Sequence, residues 1–237
     1  MLYDRWIISS WGRAGTIILG QQLFYELEQA NSSIAKFIHV GMEESPIDPN
    51  QMDVIHSHSI PQINHTDKAG LVYAVREPTS SSISAYIAEN IKSLHIHTES
   101  AMETKRRQLL DPKFKHKWAL FESQLKENSN WKEAEPLMVD MNSLTGYRNR
   151  CVAWNNKAAE VTKSLGRKYY VLNYADWHGD LKKSAAILDI PYREIKFWTL
   201  PNIKPLTDQI ANYDEVMKWK ESYLKEDLSL IQTWITK

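Results

Sequence analysis

Trp6-Ile-Ile-Ser-Ser-Trp-Gly-Arg-Ala-Gly-Thr-Ile-Ile-Leu19 reads as a buried strand that runs through a tight glycine turn into a helix, with Arg13 at the turn. Backbone N–H groups at a helix N-terminus lack intrahelical partners and sit at the positive end of the macrodipole, so this layout suits a phosphate or sulfate. Gly12 and Gly15 let the chain curl close to such an anion, and Arg13 and the Thr16 hydroxyl add charge and a hydrogen bond. The nucleoside-triphosphatase signature is different: its second glycine is followed by Lys and then Ser/Thr, whereas no lysine follows Gly15. A strand-turn-helix with no ligand satisfies the same local pattern.

Outward from this stretch, Ile18, Leu19, Leu23, Phe24 and Leu27 keep helical spacing between Gly15 and Ala30. Phe37–Val40 and Asp53–His58 read as short strands separated by a loop from Gly41 to Asn50. Leu71–Val75 is the clearest strand, and Pro78 suits the first turn of a helix reaching Ile91. Spacing predicts a helix over Ser143 to Leu165, stopped by Gly166, then a β-rich run from Lys168 to Tyr174 and a short helix over Asp180 to Leu188. After Thr207 comes a loop and a helix with Tyr213, Val216, Trp219, Tyr223 and Leu224 as its inner face. Strands alternating with helices imply a three-layer α/β fold, a parallel sheet flanked by helices. Residues 1–237 are read as a single domain, with 93–141 as a helical insertion or lid that carries Trp118, Phe121 and Trp131. Ligands gather at the carboxyl ends of such strands, which singles out Arg13, His58, Arg76 and Tyr174.

Composition narrows the classes. Lys plus Arg equals Asp plus Glu at 29 each, so no bulk attraction to nucleic acid or to an anionic membrane is expected. Cys151 is the only cysteine, which excludes an intramolecular disulfide and fits a reducing compartment. No secretory leader pattern and no membrane-spanning apolar run is visible, so the expectation is a soluble cytoplasmic protein without membrane insertion. Nine tryptophans and eleven tyrosines suit a core and also the lining of an organic pocket.

Arg76 closes the best strand and Ser84 follows eight residues later, inside the next helix. A planar guanidinium fork and a hydroxyl together can clamp a second phosphate; a solvated arginine and a helix-surface serine are the plain alternative. Taken in order, Gly-Arg-Ala-Gly-Thr at 12–16, His-Ser-His-Ser-Ile-Pro at 56–61, Val-Arg-Glu-Pro followed by Ser84-Ala-Tyr86, and Val-Leu-Asn-Tyr-Ala-Asp-Trp at 171–177 resemble the sulfotransferase family. Asp208–Asp214 is similar to the carboxyl-terminal part of several members, while Ser93 to Arg167 matches nothing specific.

The resemblance implies a P-loop NTPase-like sulfotransferase fold and transfer of a sulfuryl group from 3′-phosphoadenosine 5′-phosphosulfate (PAPS) to an acceptor hydroxyl or amine. It puts Arg13, Ala14, Gly15, Thr16 and Ile17 on the 5′ phosphosulfate and Arg76 with Ser84 on the 3′ phosphate. It puts Tyr174 near the adenine or the 3′ phosphate, and it makes His58 the catalytic base. A neutral imidazole can take the acceptor's proton, and Arg13 with the loop N–H groups faces the charge that grows on the leaving phosphate. Cytosolic members stack a tryptophan on adenine where this chain has Ile18, so Trp177 or Trp11 is the substitute. They also carry an Arg-Lys-Gly loop that this chain lacks, and Lys204 is the nearby cation. The implied partner is a small-molecule or carbohydrate acceptor.

Rival classes stay open at this point. The pairs His56/His58 and His95/His97 could ligate a metal if both lay on strands, although the second falls in helix or loop; no metal is assigned. A small-molecule or nucleotide kinase would share the phosphate loop and needs acidic Mg²⁺ ligands, for which Asp176 alone is placed. An inactive nucleotide-binding module is the third.

Overall fold

The structure is a computed structural model. It describes residues 5–12, 14–16, 19–20, 22–23, 37–40, 54–58, 60, 69–90, 135–166, 168–177, 180–192 and 205–235. Among the described residues five strands form one sheet: β1 (Trp6–Ser9), β2 (Phe37–Val40), β3 (Val54–Ser57), β4 (Gly70–Val75) and β5 (Tyr170–Asn173). Their order across the sheet is β2-β3-β1-β4-β5, and every pairing is parallel. The helices are α1 (Pro78–Asn90), α2 (Met141–Ser164), α3 (Tyr174–Trp177), α4 (Leu181–Leu188), α5 (Leu206–Gln209) and α6 (Tyr213–Ile235). Thr16, Leu19, Gly20, Gln22 and Leu23 are helical as well.

All six residues of β4 and all four of β1 are buried, the pattern of strands covered on both faces. Side chains alternate across the sheet, so each strand feeds two cores. On one face Trp6, Ile8, Val72 and Leu172 pack with Leu19, Leu23, Ala185 and Leu188. On the other, Ile7, Leu71, Tyr73 and Val75 pack with Ala158, Ile231 and Trp234 from α2 and α6. The three layers expected from the alternation of strands and helices are therefore present in these described residues.

Strand order also explains where a site can form. The chain leaves β1 toward the β2 edge, returns to β3, crosses to β4 on the far side of β1, and goes on to β5. Parallel crossovers are right-handed, so reversing direction puts the helix after β1 and α2, in the crossover from β4 to β5, on opposite faces. The connections out of β1 and β4 go opposite ways from the carboxyl ends of these strands, the place where ligands bind in such sheets.

Local differences from the sequence reading have physical causes. The helix expected from Ser143 begins at Met141, because the Asp140 carboxylate accepts from the backbone N–H groups of Asn142 and Ser143 and caps it. The β-rich run ends at Asn173, and Tyr174 opens a helical turn instead of closing a strand. Leu224, expected on the inner face of the last helix, is exposed, whereas Val216, Asp227, Ile231 and Trp234 are buried. Of the segment 93–141, residues 135–141 are described: Leu137 makes a parallel bridge with Ile210, and Met141 starts α2. The remainder of that expected lid, with Trp118, Phe121 and Trp131, lies outside the described residues. Among them no helix is long and apolar enough to cross a membrane.

Candidate functional site

The carboxyl edge of the sheet is shaped first by the turn out of β1. The Ser10 N–H donates to Ser57 O at 3.2 Å, carrying the β1–β3 ladder one residue past the strand. Gly12 and Gly15 then take φ of +131° and +74°, values that side chains other than glycine rarely adopt. Ala14 and Thr16 are buried, and the Leu19 N–H donates to Gly15 O at 3.2 Å, the first i to i−4 bond of the helix. A Cβ on Gly15 would stand 2.7 Å from Trp177 Cη2 and 3.2 Å from Tyr174 Cε2. Gly15→Ala thus combines a strained φ with overpacking, and we expect a loss of about 2 to 4 kcal/mol, read as a lower urea midpoint at unchanged slope.

On one side of this turn stands His58, half-buried just past β3. Its Nδ1 lies 3.2 Å from the Ser10 carbonyl oxygen. A carbonyl only accepts, so Nδ1 carries the hydrogen and the neutral ring's basic lone pair belongs to Nε2. The ring also lies against the turn, since a Cβ on Gly12 would come within 3.4 Å of its Cε1. Trp154 on α2 donates its indole N–H to the His58 carbonyl at 3.0 Å. Backbone and tautomer are thus fixed from two elements, a role for Trp154 that no sequence signal announces.

On the other side stands Arg76, half-buried at the end of β4. Its guanidinium lies over the Tyr174 ring at 4.4 Å, a cation–π contact that holds the group in place. Burial pulls its pKa below the usual arginine range, with the nearby Tyr174 and Glu77 opposing the shift. An arginine keeps its charge even so, and a partly desolvated one has more to gain from an anion. Ser84 is half-buried in α1, about two turns beyond Arg76.

His58, Gly12, Gly15, Tyr174 and Arg76 therefore form one run of contacts across the carboxyl edge of the sheet, with Tyr174 touching both the turn and Arg76. Arg13, Ile17 and Lys204 lie outside the described residues, as do His95 and His97. Trp177 corrects the reading that gave it a stacking role: it is 1% exposed, packed in the core against Gly15 and edge-on to Tyr174. Among the described residues no group of three or more His, Cys, Asp or Glu is arranged to hold a metal. Comparison with protein-family models, with curated proteins and with solved structures gives no match to this chain.

Proposed function

We propose that this chain is a sulfotransferase that uses PAPS to sulfate the hydroxyl or amine of a small-molecule or carbohydrate acceptor, on a P-loop-like fold. The observation that carries the reading is the run from the glycine turn through Tyr174 to Arg76. It joins the glycine turn, with the imidazole of His58 beside it, to the Arg76 guanidinium along the sheet edge. A ligand with phosphates at both ends of an adenosine suits that arrangement. Positive-φ glycines keep Cβ atoms out of the loop, and the guanidinium is held over Tyr174 before any anion arrives.

In this reading the donor supplies the sulfuryl group, and 3′-phosphoadenosine 5′-phosphate (PAP) is what it leaves behind. Arg13 and the N–H groups of the turn hold the 5′ end and oppose the charge that grows on the departing oxygen. Arg76, with Ser84, holds the 3′ phosphate, and Tyr174 backs the Arg76 guanidinium. His58 accepts the acceptor's proton at Nε2 while Nδ1–H stays on Ser10, so the ring cannot swing away when it becomes positive.

Calorimetric titration of the full chain with PAP, followed by turnover on an acceptor panel supplied with PAPS, tests the proposal. Micromolar or tighter PAP binding with transfer of sulfate supports it. Binding without transfer on any acceptor indicates a nucleotide-binding module, and turnover that needs ATP and Mg²⁺ indicates a kinase; either result overturns it.

A further inference from the structure

Asp227 in α6 is a carboxylate with none of its surface exposed, and Arg148 in α2 is 3% exposed. Oδ1 of Asp227 accepts from Arg148 Nε at 3.0 Å and from Nη2 at 2.8 Å. Oδ2 accepts from the backbone N–H of Thr79 at 2.8 Å. The guanidinium of Arg148 also lies over the Tyr223 ring at 3.8 Å, and its Nη2 reaches Glu226 at 3.0 Å. Both oxygens of the Asp227 carboxylate are thus satisfied, yet a buried ion pair seldom stabilises a fold more than apolar residues of the same volume would. What it does supply is direction.

Thr79 is the second residue of α1, and its N–H is one of the donors that a helix start leaves without an intrahelical partner. Filling it from α6, while Arg148 ties the same carboxylate to α2, pins three helices at one point three residues beyond Arg76. The corner is braced further: Ser82 Oγ donates to Pro78 O at 2.6 Å, and Ser80 Oγ donates to Glu77 at 2.7 Å. The negative charge at this helix start also occupies the place where the macrodipole would favour an anion. Selection of an anion after β4 is therefore left to side chains, Arg76 foremost.

We propose that Asp227, oriented by Arg148, is a positioning residue for the 3′-phosphate subsite: it fixes the turn from β4 into α1 and so the reach of the Arg76 guanidinium. The assignment rests on the adenosine-donor reading above. A site left a fraction of an ångström loose loses much of its binding, and we expect about a tenfold loss of preference here.

The test compares the affinity of the full chain for PAP and for adenosine 5′-phosphate, which lacks only the 3′ phosphate. It uses the wild type, Asp227→Asn, and the double variant Asp227→Leu with Arg148→Met, each at a temperature where circular dichroism shows it folded. The double variant removes both charges together and keeps an apolar core, so it stays folded if the single variant does not. The expected result is a PAP preference about tenfold lower in the variants, with affinity for adenosine 5′-phosphate within about twofold of wild type. A merely structural role would lower both affinities alike or neither. An unchanged preference in either folded variant overturns the positioning role. A wild-type chain that does not prefer PAP overturns the donor reading first, and the positioning role with it.

Discussion

Arg76→Ala lowers the affinity for PAP by about 100-fold while leaving the affinity for adenosine 5′-phosphate nearly unchanged. The size follows from what is removed. A charge-assisted bidentate contact to a phosphate is among the stronger polar interactions, and truncating one side of a partly desolvated charge pair costs about 3 kcal/mol, which is about 100-fold in Kd. The selectivity follows from the geometry. Arg76 stands at the end of β4 with its guanidinium over Tyr174, on the 3′ side of the proposed donor, so a ligand lacking the 3′ phosphate makes no use of it. Arg76→Lys does not restore the preference, because an ammonium has no planar fork of donors for a phosphate. Calorimetry with the two nucleotides on both variants checks the prediction. Equal losses for the two ligands would mean that Arg76 supports the sheet edge as a whole and grips no phosphate of its own.

That geometry explains which parts of the site were legible in the sequence. The strands β1 and β4 announce themselves as unbroken apolar runs because both their faces are covered, and the residues just past them follow directly. Once the order β2-β3-β1-β4-β5 is known, Arg76, His58 and the glycine turn must share one edge. Asp227 and Trp154 were not legible, since each acts through a partner 79 or more residues away. Periodicity carries no record of such pairs. It placed Leu224 inward on grounds of hydropathy, yet a charged residue took the buried position because Arg148 awaits it there. Trp177 failed in the other direction. An aromatic near a phosphate loop suggests stacking on a base, but the missing Cβ of Gly15 makes room for the ring in the core.

His58→Ala and His58→Asn both bring turnover down by about 1,000-fold, the scale on which a positioned general base contributes. The two variants separate the chemical role of the ring from its mechanical one. In the wild type Nδ1–H is spent on the Ser10 carbonyl, at the point where the chain leaves β1 for the turn, and Gly12 packs against the same ring. Alanine removes both the base and that tether, so PAP binding weakens by a few-fold as the turn gains freedom. Asparagine can return an amide N–H to the Ser10 carbonyl from nearly the position of Nδ1 but offers nothing in place of Nε2. PAP binding by His58→Asn therefore stays within about twofold of wild type although its turnover is lost. Steady-state rates at saturating PAPS, set beside PAP titrations of the same preparations, read both quantities. A His58→Asn chain that turns over at the wild-type rate removes the imidazole from proton transfer and leaves it only as the clasp between β3 and the glycine turn.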